Sequence, residues 1–515
     1  MKRTDRNRRL ARQLNRRKNR VAERLDPGAF EERSRPVMEG GNLKYDLSHR
    51  AVGTAVSGIG AIHRLAQKLG LVAAIDDSLH VIKRHLPYHE SDHALNITYN
   101  HLCGGTCIED LELRRQDEAY LDALGARRVP DPTTARDFCD RLTAPDIEAL
   151  MDAINRTRLK VWARQPAEFF DEAVIDGDGT IAPTLGECKQ GMDITFKGDW
   201  GYHPLLISLA NTKEPLYLLN RPGNRPSYDG AAAYFDKAIT LCREGGFRRV
   251  LLRGDTDFSQ TAHLDRWDAD GVGFLFGFNA MAGLLRQARE LPAERWEPLD
   301  RPARHEVATA PRARPENVKL RIVKERGYKH IRLEGELVAE FTYQPVACKK
   351  TYRVIVSRKN LSVTQGDTLL EEQFRDFFYI TNDVTTPAAE LVLRANQRCD
   401  QENLIDQLKN GVRAMRMPTN TLLGNWAYMV MAALAWTLKA WFALMLPETG
   451  RWRERYKSDK DEALRMEFKR FFHGFIQLPA QLVKSARRRV MRLLGWNPYL
   501  PVFFRGVHAI ESLRC

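Results

Sequence analysis

The run Ala173–Thr180 constrains the fold of this 515-residue chain more than any other stretch. It begins with apolar, mostly β-branched residues, which are typical of a buried strand, and then reaches Asp176, a glycine and Asp178. Because side chains alternate along a strand, both carboxylates are predicted to lie on the same face. The sequence therefore predicts a buried strand that presents two acids at its carboxyl end.

Two further acidic segments lie downstream in matching contexts. The run Arg249–Asp257 is a second apolar strand pattern that ends in Asp255 and Asp257, and Glu402 lies inside a helical pattern. Carboxylates from two strand ends and one helix would form an oxygen-rich site, which suits a hard divalent cation such as Mg²⁺ or Mn²⁺. Each acid also has an ordinary structural interpretation: Asp176 could cap a turn and Asp257 could begin the next helix.

The charge balance favours a polyanionic partner. The formal net charge is +14 and the sequence pI is about 9.4, which points to nucleic acid before a membrane surface. Residues 1–25 are mostly basic and polar, and we predict a disordered segment or a marginal helix there. Such a segment could neutralise DNA phosphates or could be a solvated tail.

The cysteines and the apolar runs indicate a cytoplasmic protein with no membrane partner. Of the eight cysteines only Cys103 and Cys107 are closely spaced, beside His101, and without a second ligand pair free thiols are favoured over structural zinc. The N-terminus shows no signal-peptide pattern. The apolar run Leu422–Leu446 is long enough to span a membrane, but Asn425 and a lysine inside it favour a buried helix.

Several local elements can be predicted from spacing and capping. Residues 55–160 are predicted to be helical, with Asp131 and Thr143 as helix starts, and short helices of this kind suit either a DNA reader or a simple bundle. A mixed α/β layer follows, with a helix from about Asp229 to Arg243. A β-rich insertion then interrupts it, and its predicted strands are Lys319–Val323, Val338–Tyr343, Tyr352–Ser357 and Phe377–Thr381.

At this point the sequence resembles the DDE transposases of bacterial insertion sequences, in the IS4-like superfamily and the IS1380 family. The resemblance rests on short motifs whose order is more specific than any one of them. They are Asp178-Gly179-Thr180, Gly201-Tyr202-His203-Pro204-Leu205, Asn220-Arg221-Pro222-Gly223-Asn224, Arg253-Gly254-Asp255-Thr256-Asp257-Phe258 and Arg398-x-x-x-Glu402.

The resemblance implies an α/β fold with a ribonuclease-H-like core, in which a mixed sheet is flanked by helices, a β-rich insertion precedes the last acidic helix, and a helical N-terminal region binds DNA. The implied organisation is a basic arm, a helical DNA-binding domain, the first part of the core, the insertion, the second part of the core and a basic helical C-terminal region, at 1–50, 51–165, 166–284, 285–385, 386–450 and 451–515.

The resemblance also implies site residues. Asp178, Asp255 and Glu402 would be the catalytic acids and metal ligands, with Asp176 and Asp257 as less favoured ligands. The third acid belongs to a helical signature of Tyr, Arg, Glu and Lys.

The other positions of that signature match only in part. Arg398 and Lys409 fit the spacing and would contact DNA phosphates. Spacings of four and seven place Arg398, Glu402 and Lys409 on one face of a helix. Ala395 stands where the family has tyrosine. For His203, packing or hydrogen bonding is favoured over a ligand role.

The function implied is that of a transposase using two Mg²⁺ ions, with Mn²⁺ as a possible substitute. Its partner would be double-stranded DNA, both transposon ends and target, and it would act as a homodimer on DNA. Two other functions stay open: a catalytically inactive or repurposed DNA-binding protein on the same fold, which Ala395 would allow, or a metal-dependent nuclease.

Overall fold

The computed structural model describes residues 3–25, 45, 48, 51–85, 87–301, 318–327, 329–365, 368–485 and 488–513. The chain divides into two compact units. The helical unit comprises Met1–Gln165, Gly186–Gln190 and Asp406–Cys515, and the sheet unit comprises Pro166–Leu185 and Gly191–Ile405. Most of the predicted arm beyond residue 25 lies outside the described residues, as does Arg487.

The strands of both units are numbered in chain order. They are β1 Val52–Thr54, β2 Ala173–Gly179, β3 Ala182–Pro183, β4 Asp193–Ile194, β5 Trp200–Tyr202, β6 Leu205–Leu209, β7 Glu214–Leu219, β8 Val250–Gly254, β9 Gly273–Phe278, β10 Glu297–Pro298, β11 Lys329–Tyr343, β12 Tyr352–Gln365, β13 Thr368–Thr381, β14 Ala480–Ser485 and β15 Arg488–Leu493.

The α-helices are numbered in the same way. They are α1 Arg3–Arg24, α2 Ile59–Leu69, α3 Leu71–Asp76, α4 Glu90–Leu102, α5 Leu111–Arg115, α6 Glu118–Leu124, α7 Pro132–Arg141, α8 Ala144–Trp162, α9 Ala231–Glu244, α10 Leu264–Ala269, α11 Ala282–Glu290, α12 Val318–Glu325, α13 Ala388–Asn396, α14 Cys399–Asp406, α15 Leu422–Leu444, α16 Arg453–Arg465, α17 Phe468–Phe471 and α18 Leu500–Ser512.

The sheet unit is built on a mixed nine-stranded sheet with the order β10-β11-β12-β13-β9-β8-β2-β6-β7. Strand β2 pairs in parallel with β8 and antiparallel with β6, and β8 pairs in parallel with β9. The predicted strand that carries Asp176 and Asp178 is therefore confirmed and lies inside the sheet, third from the β7 edge. Parallel pairing brings the carboxyl ends of β2 and β8 to the same edge.

Helices cover both faces of this sheet. On one face α9 packs so closely on β2 that a Cβ atom at Gly177 would lie 2.4 Å from the Phe235 ring, which explains the glycine between the two acids. On the other face α13 contributes Leu391 and Val392 to a buried cluster with Leu251 and other apolar residues of the sheet. The predicted mixed α/β layer flanked by helices is observed.

The insertion is part of the central sheet, whereas the sequence pattern predicts an elaboration of the α/β layer rather than part of it. Strand β13 pairs antiparallel with β9, from Phe378 opposite Phe278 to Thr381 opposite Leu275, so β10–β13 extend the central sheet. The predicted strand Lys319–Val323 is also wrong, because these residues lie in helix α12. A run of five residues that mixes apolar and charged side chains is compatible with both the helical and the strand period, so the surrounding fold decides which one forms.

Helix α15 is the central element of the helical unit. It is long and apolar enough to cross a membrane, yet the whole of its apolar window is buried inside the unit. Lys439 in this helix is fully buried, donates to the carbonyl oxygen of Leu464 at 2.6 Å and lies over the Trp436 ring. The two polar residues that argued for a buried helix therefore lie in a protein core.

The ends of the helical unit agree with expectation in part. The basic N-terminal segment forms the 22-residue helix α1, which is the second of the two predicted alternatives. The C-terminal region, predicted to be helical, contains the hairpin β14–β15, which pairs with β1. The predicted helix starts at Asp131 and Thr143 are confirmed, since both are N-cap residues. Helix α2 ends at Gly70, whose positive φ of 77° separates it from α3.

Candidate active site

The acids of the first two segments lie together at the carboxyl edge of the sheet. Asp178 is the sixth residue of β2, and Asp255 directly follows β8. Asp176 lies opposite Arg253 in the parallel register, so alternation places Asp178 and Asp255 on the same face of neighbouring strands. The charge of Asp255 reaches Asp178, where it helps to raise the pKa.

Asp176 has a structural partner of its own. Its side chain is 1% exposed, and its two oxygens accept hydrogen bonds from Arg253, from Nε at 2.7 Å and from Nη2 at 2.8 Å. Arg253 also donates to the carbonyl oxygen of Arg394 at 2.7 Å, which ties β8 to α13. Because both of its oxygens are engaged by an arginine, Asp176 is poorly suited to bind a cation.

Asp178 is held differently. One oxygen accepts a hydrogen bond from Arg398 Nη1 at 3.0 Å, and 13% of the side chain is exposed. Burial raises the pKa of Asp178 to about 6, the Arg398 guanidinium opposes that rise, and the charges of Asp255 and Glu402 add to it. The pKa of this buried carboxyl group stays raised although Arg398 lies against it, so further positive charge would stabilise its ionised form.

Asp255 begins a short 3₁₀ turn. Its Oδ1 accepts from the backbone N–H of Asp257 at 3.0 Å. The N-cap is therefore Asp255, and the sequence interpretation of Asp257 as a cap is wrong. Burial raises the pKa of Asp255, and the Arg398 charge counteracts this. Asp257 points to solvent, so the exposed acid of this pair is the less favoured ligand.

The third acidic segment is broken where the sequence predicted one continuous helix. Arg398 lies in the two-residue turn between α13 and α14, Glu402 lies in α14, and Lys409 lies in the π-helical turn Gln407–Gly411. Lys409 belongs to the helical unit, whereas the other two belong to the sheet unit. The prediction that all three share one helical face is therefore wrong.

The donor chemistry of Asp178, Asp255 and Glu402 fits a divalent cation. All three offer only carboxylate oxygens, and the first two have raised pKa values that a bound cation would relieve. The carboxylate oxygens of these three acids do not all lie within 4.8 Å of one another. Among the described residues, the group of three ligand atoms that meets this distance is His85, His89 and Glu90. Arg398 donates to one oxygen of Asp178, and the Glu402 side chain is exposed.

Sequence reasoning missed the residues that hold this edge in place. Gln401, the residue before Glu402, is buried and donates from Nε2 to the backbone oxygen of Asp176 at 3.2 Å. The Tyr379 side chain on β13 forms a hydrogen bond with the Asn396 side chain, next to Ala395. Tyr379 also lies close enough to Arg398 for the guanidinium charge to act on its hydroxyl group. Arg253 could have been noticed in the sequence as a charged residue inside an apolar strand. Its partner Asp176 could not be identified, because that contact depends on the parallel register of β2 and β8.

His203 and the cysteine segment have ordinary structural roles. His203 is buried, and its Nδ1 lies 2.7 Å from the carbonyl oxygen of Arg225. Both ring nitrogens of His101 are engaged, Nδ1 with the Gly105 oxygen at 3.0 Å and Nε2 with the Tyr428 hydroxyl at 2.9 Å. Cys103 forms no disulfide, and neither does Cys107.

Comparison with known families identifies the chain. The family model described as transposase DDE domain group 1 matches residues 49–515. The chain belongs to this family. DDE transposases generally use divalent metal ions, which agrees with the carboxylate chemistry of the site.

Other comparisons add little for this DDE transposase. No curated protein matches its sequence. Among solved structures it is similar to the piggyBac transposase, seen by cryo-electron microscopy in a synaptic complex with hairpin DNA. That similarity covers 82% of this chain and 84% of the other at 10% identity, with a TM-score of 0.35.

Proposed function

We propose that this protein is the DNA transposase of an insertion sequence of the IS1380 family, in the IS4-like superfamily. It would bind the terminal inverted repeats, cleave the ends and transfer their 3′-hydroxyl groups to target DNA. The observation that carries the proposal is the pair Asp178 and Asp255 at adjacent ends of the parallel strands β2 and β8, with the charge of Glu402 acting on the first, in a chain of the DDE family.

The roles of the acids follow from their surroundings. Asp178, Asp255 and Glu402 would hold Mg²⁺, or Mn²⁺ in its place. The metal would supply Lewis-acid stabilisation of phosphoryl transfer when bound. Asp176, held by Arg253, would keep β2 and β8 in register instead of binding metal.

Arg398 would have two alternative partners. In the structure it neutralises part of the Asp178 charge. Once its guanidinium leaves Asp178, its fork of donors can bind a DNA phosphate, for which planar bidentate donors are well suited. Lys409 would contribute a second phosphate contact.

The proposal includes the fold and the arrangement of the chain. A ribonuclease-H-like core is supported by the mixed sheet in which β2 lies between the antiparallel β6 and the parallel β8. The helical unit would bind DNA ends, and the protein would act as a homodimer on DNA in the bacterial cytoplasm.

The basic elements of the helical unit support a DNA-binding role. Helix α1 carries ten basic and two acidic residues. Arg17 of this helix donates from Nη1 to the carbonyl oxygens of Leu493 at 2.7 Å and Gly495 at 2.9 Å. The helix therefore lies beside β15, where Arg488 and Arg492 are exposed, and such a surface can neutralise phosphates.

The decisive experiment is cleavage of DNA carrying the inverted repeats that flank the gene, with Mg²⁺ present. Asp255→Asn and Glu402→Gln should each abolish end cleavage and leave end binding intact. Asp257→Asn is the matched control, because this exposed acid lies two residues from Asp255, and it should cleave at close to the wild-type rate. Cleavage by either active-site variant at the wild-type rate would refute the assignment.

The same assay separates the two other functions. Cleavage without joining of the 3′-hydroxyl ends to a second DNA would indicate a metal-dependent nuclease. End binding without any cleavage by the wild-type protein would indicate an inactive or repurposed DNA-binding protein, as Ala395 would allow.

A further inference from the structure

Three potential metal ligands come together in the helical unit, at the start of helix α4. His85 and His89 lie in the segment that leads into the helix, and Glu90 is its first residue. One ligand atom from each lies within 4.8 Å of the other two. We infer that these three residues bind a transition-metal ion, with Zn²⁺ the best match to the donor set.

Glu90 is oriented before any ion binds. Its side chain is 2% exposed, its Oε1 accepts from the backbone N–H of Ile82 at 3.0 Å, and its Oε2 lies 3.0 Å from His85 Nε2. A ligand carboxylate whose second oxygen is hydrogen-bonded by the protein is fixed in direction, and such outer contacts strengthen metal sites. The backbone contact therefore leaves one oxygen of Glu90 facing the imidazoles.

The two imidazoles lie side by side. The rings of His85 and His89 are stacked, with centroids 4.0 Å apart and planes inclined by 18°. The stacked rings lie face to face, and a nitrogen of each lies within 4.8 Å of the other and of a Glu90 oxygen, so a turn of one exposed ring would direct both nitrogens at the same ion. The His85 side chain is 40% exposed, which gives an ion and its water molecules access.

The donor set distinguishes this site from the acidic edge of the sheet unit. Imidazole nitrogen suits zinc, copper and nickel, whereas magnesium prefers oxygen. Two histidines and one glutamate leave a position open for water, as in zinc sites with three protein ligands. The site therefore does not depend on the proposed transposase function or on its Mg²⁺ ligands.

A bound ion would fasten the segment before α4 to the first turn of that helix. The hydrogen bond between His85 and Glu90 already joins this segment to the helix, and the ion would add His89 to that connection. Since an ion that binds only the folded state stabilises it by mass action, zinc should raise the melting temperature of the protein.

The test uses the full chain after chelator treatment, titrated with Zn²⁺ against a chromophoric competitor. The wild type should bind one equivalent at this site, and His85→Ala and His89→Ala should each weaken its affinity by about tenfold or more. His80→Ala is the matched control, an exposed histidine in the same segment but outside the cluster, and it should bind like the wild type. Because His85 and His89 are exposed, the variants should keep their fold, which circular dichroism checks.

Three results would overturn the inference. The first is wild-type protein that takes up no Zn²⁺ at micromolar concentration. The second is an unchanged Zn²⁺ affinity in both His85→Ala and His89→Ala. This includes the case in which Zn²⁺ affinity falls instead in Glu402→Gln or Cys188→Ser, which would place the ion at another exposed ligand. With Co²⁺ as a spectroscopic substitute, a visible band that persists in His89→Ala would contradict the assignment in the same way.

Discussion

Replacing Asp178 with asparagine should make the sheet unit more stable at neutral pH. Burial raises the pKa of this carboxyl group from 3.8 to about 6 even though Arg398 lies beside it. The native state therefore binds the proton more tightly than the unfolded state, so stability falls as the pH rises from about 4 to about 6. Asparagine carries no charge and avoids that loss.

The size of the effect follows from the same pKa. At 1.36 kcal/mol per pH unit, a difference of about 2 corresponds to about 3 kcal/mol as an upper value. We expect Asp178→Asn to be about 1–3 kcal/mol more stable than the wild type at about pH 7.5, because the new amide must still find hydrogen-bond partners. The two proteins should be nearly equal at about pH 4.

Hydrogen exchange with mass spectrometry in increasing urea can measure this difference locally, since peptides from β2 and β8 report the opening of the sheet unit. Asp257→Asn provides the control, because this exposed acid should change stability by no more than about 0.5 kcal/mol. An Asp178→Asn protein that is equal to or less stable than the wild type at neutral pH, with the control unchanged, would refute the burial argument.

Three further outcomes can be measured. Burial raises the pKa of Asp176 as well, but both of its oxygens are engaged by the buried Arg253, so Asp176→Asn should destabilise the sheet unit by about 3–5 kcal/mol by leaving that charge without its partner; urea unfolding would detect the loss. Gly177→Ala should cost about 1–3 kcal/mol, since the new methyl would meet Phe235 at 2.4 Å, and the melting temperature would show it. Burial lowers the pKa of His101 to about 4, so the unfolded state binds the proton more readily than the native state. The helical unit should therefore lose stability as the pH falls from about 6.5 to about 4. Hydrogen exchange in α4 should speed up over that range, and His101→Gln should reduce this pH dependence.

Much of the central sheet could be predicted from the sequence because its strands are short apolar runs bounded by glycine or acids. The elements β2, β8 and β9 have this form. The insertion was harder, since β11–β13 are 14–15 residues long and mostly mixed in polarity. Nothing in such a pattern says that β13 pairs with β9, because pairing across that distance depends on the whole sheet.

The site was predicted in part for similar reasons. Two apolar strands that end in acids were enough to expect Asp178 and Asp255 side by side once parallel pairing was assumed. The positions of Arg398 and Glu402 were derived from one unbroken helix, whereas the chain turns between α13 and α14. The contact between Asp176 and Arg253 required the register of β2 and β8, which no local pattern reveals.

The shared sheet has a consequence for how this protein could be shortened or recombined. Because β13 supplies the hydrogen-bonding neighbour of β9, excising the insertion would leave β9 with a bare edge of unsatisfied amide and carbonyl groups. Exposed edges of that kind invite other chains to add strands and favour aggregation. A soluble truncation would need a replacement edge strand or charged residues along β9, and relatives with shorter insertions should carry such protection.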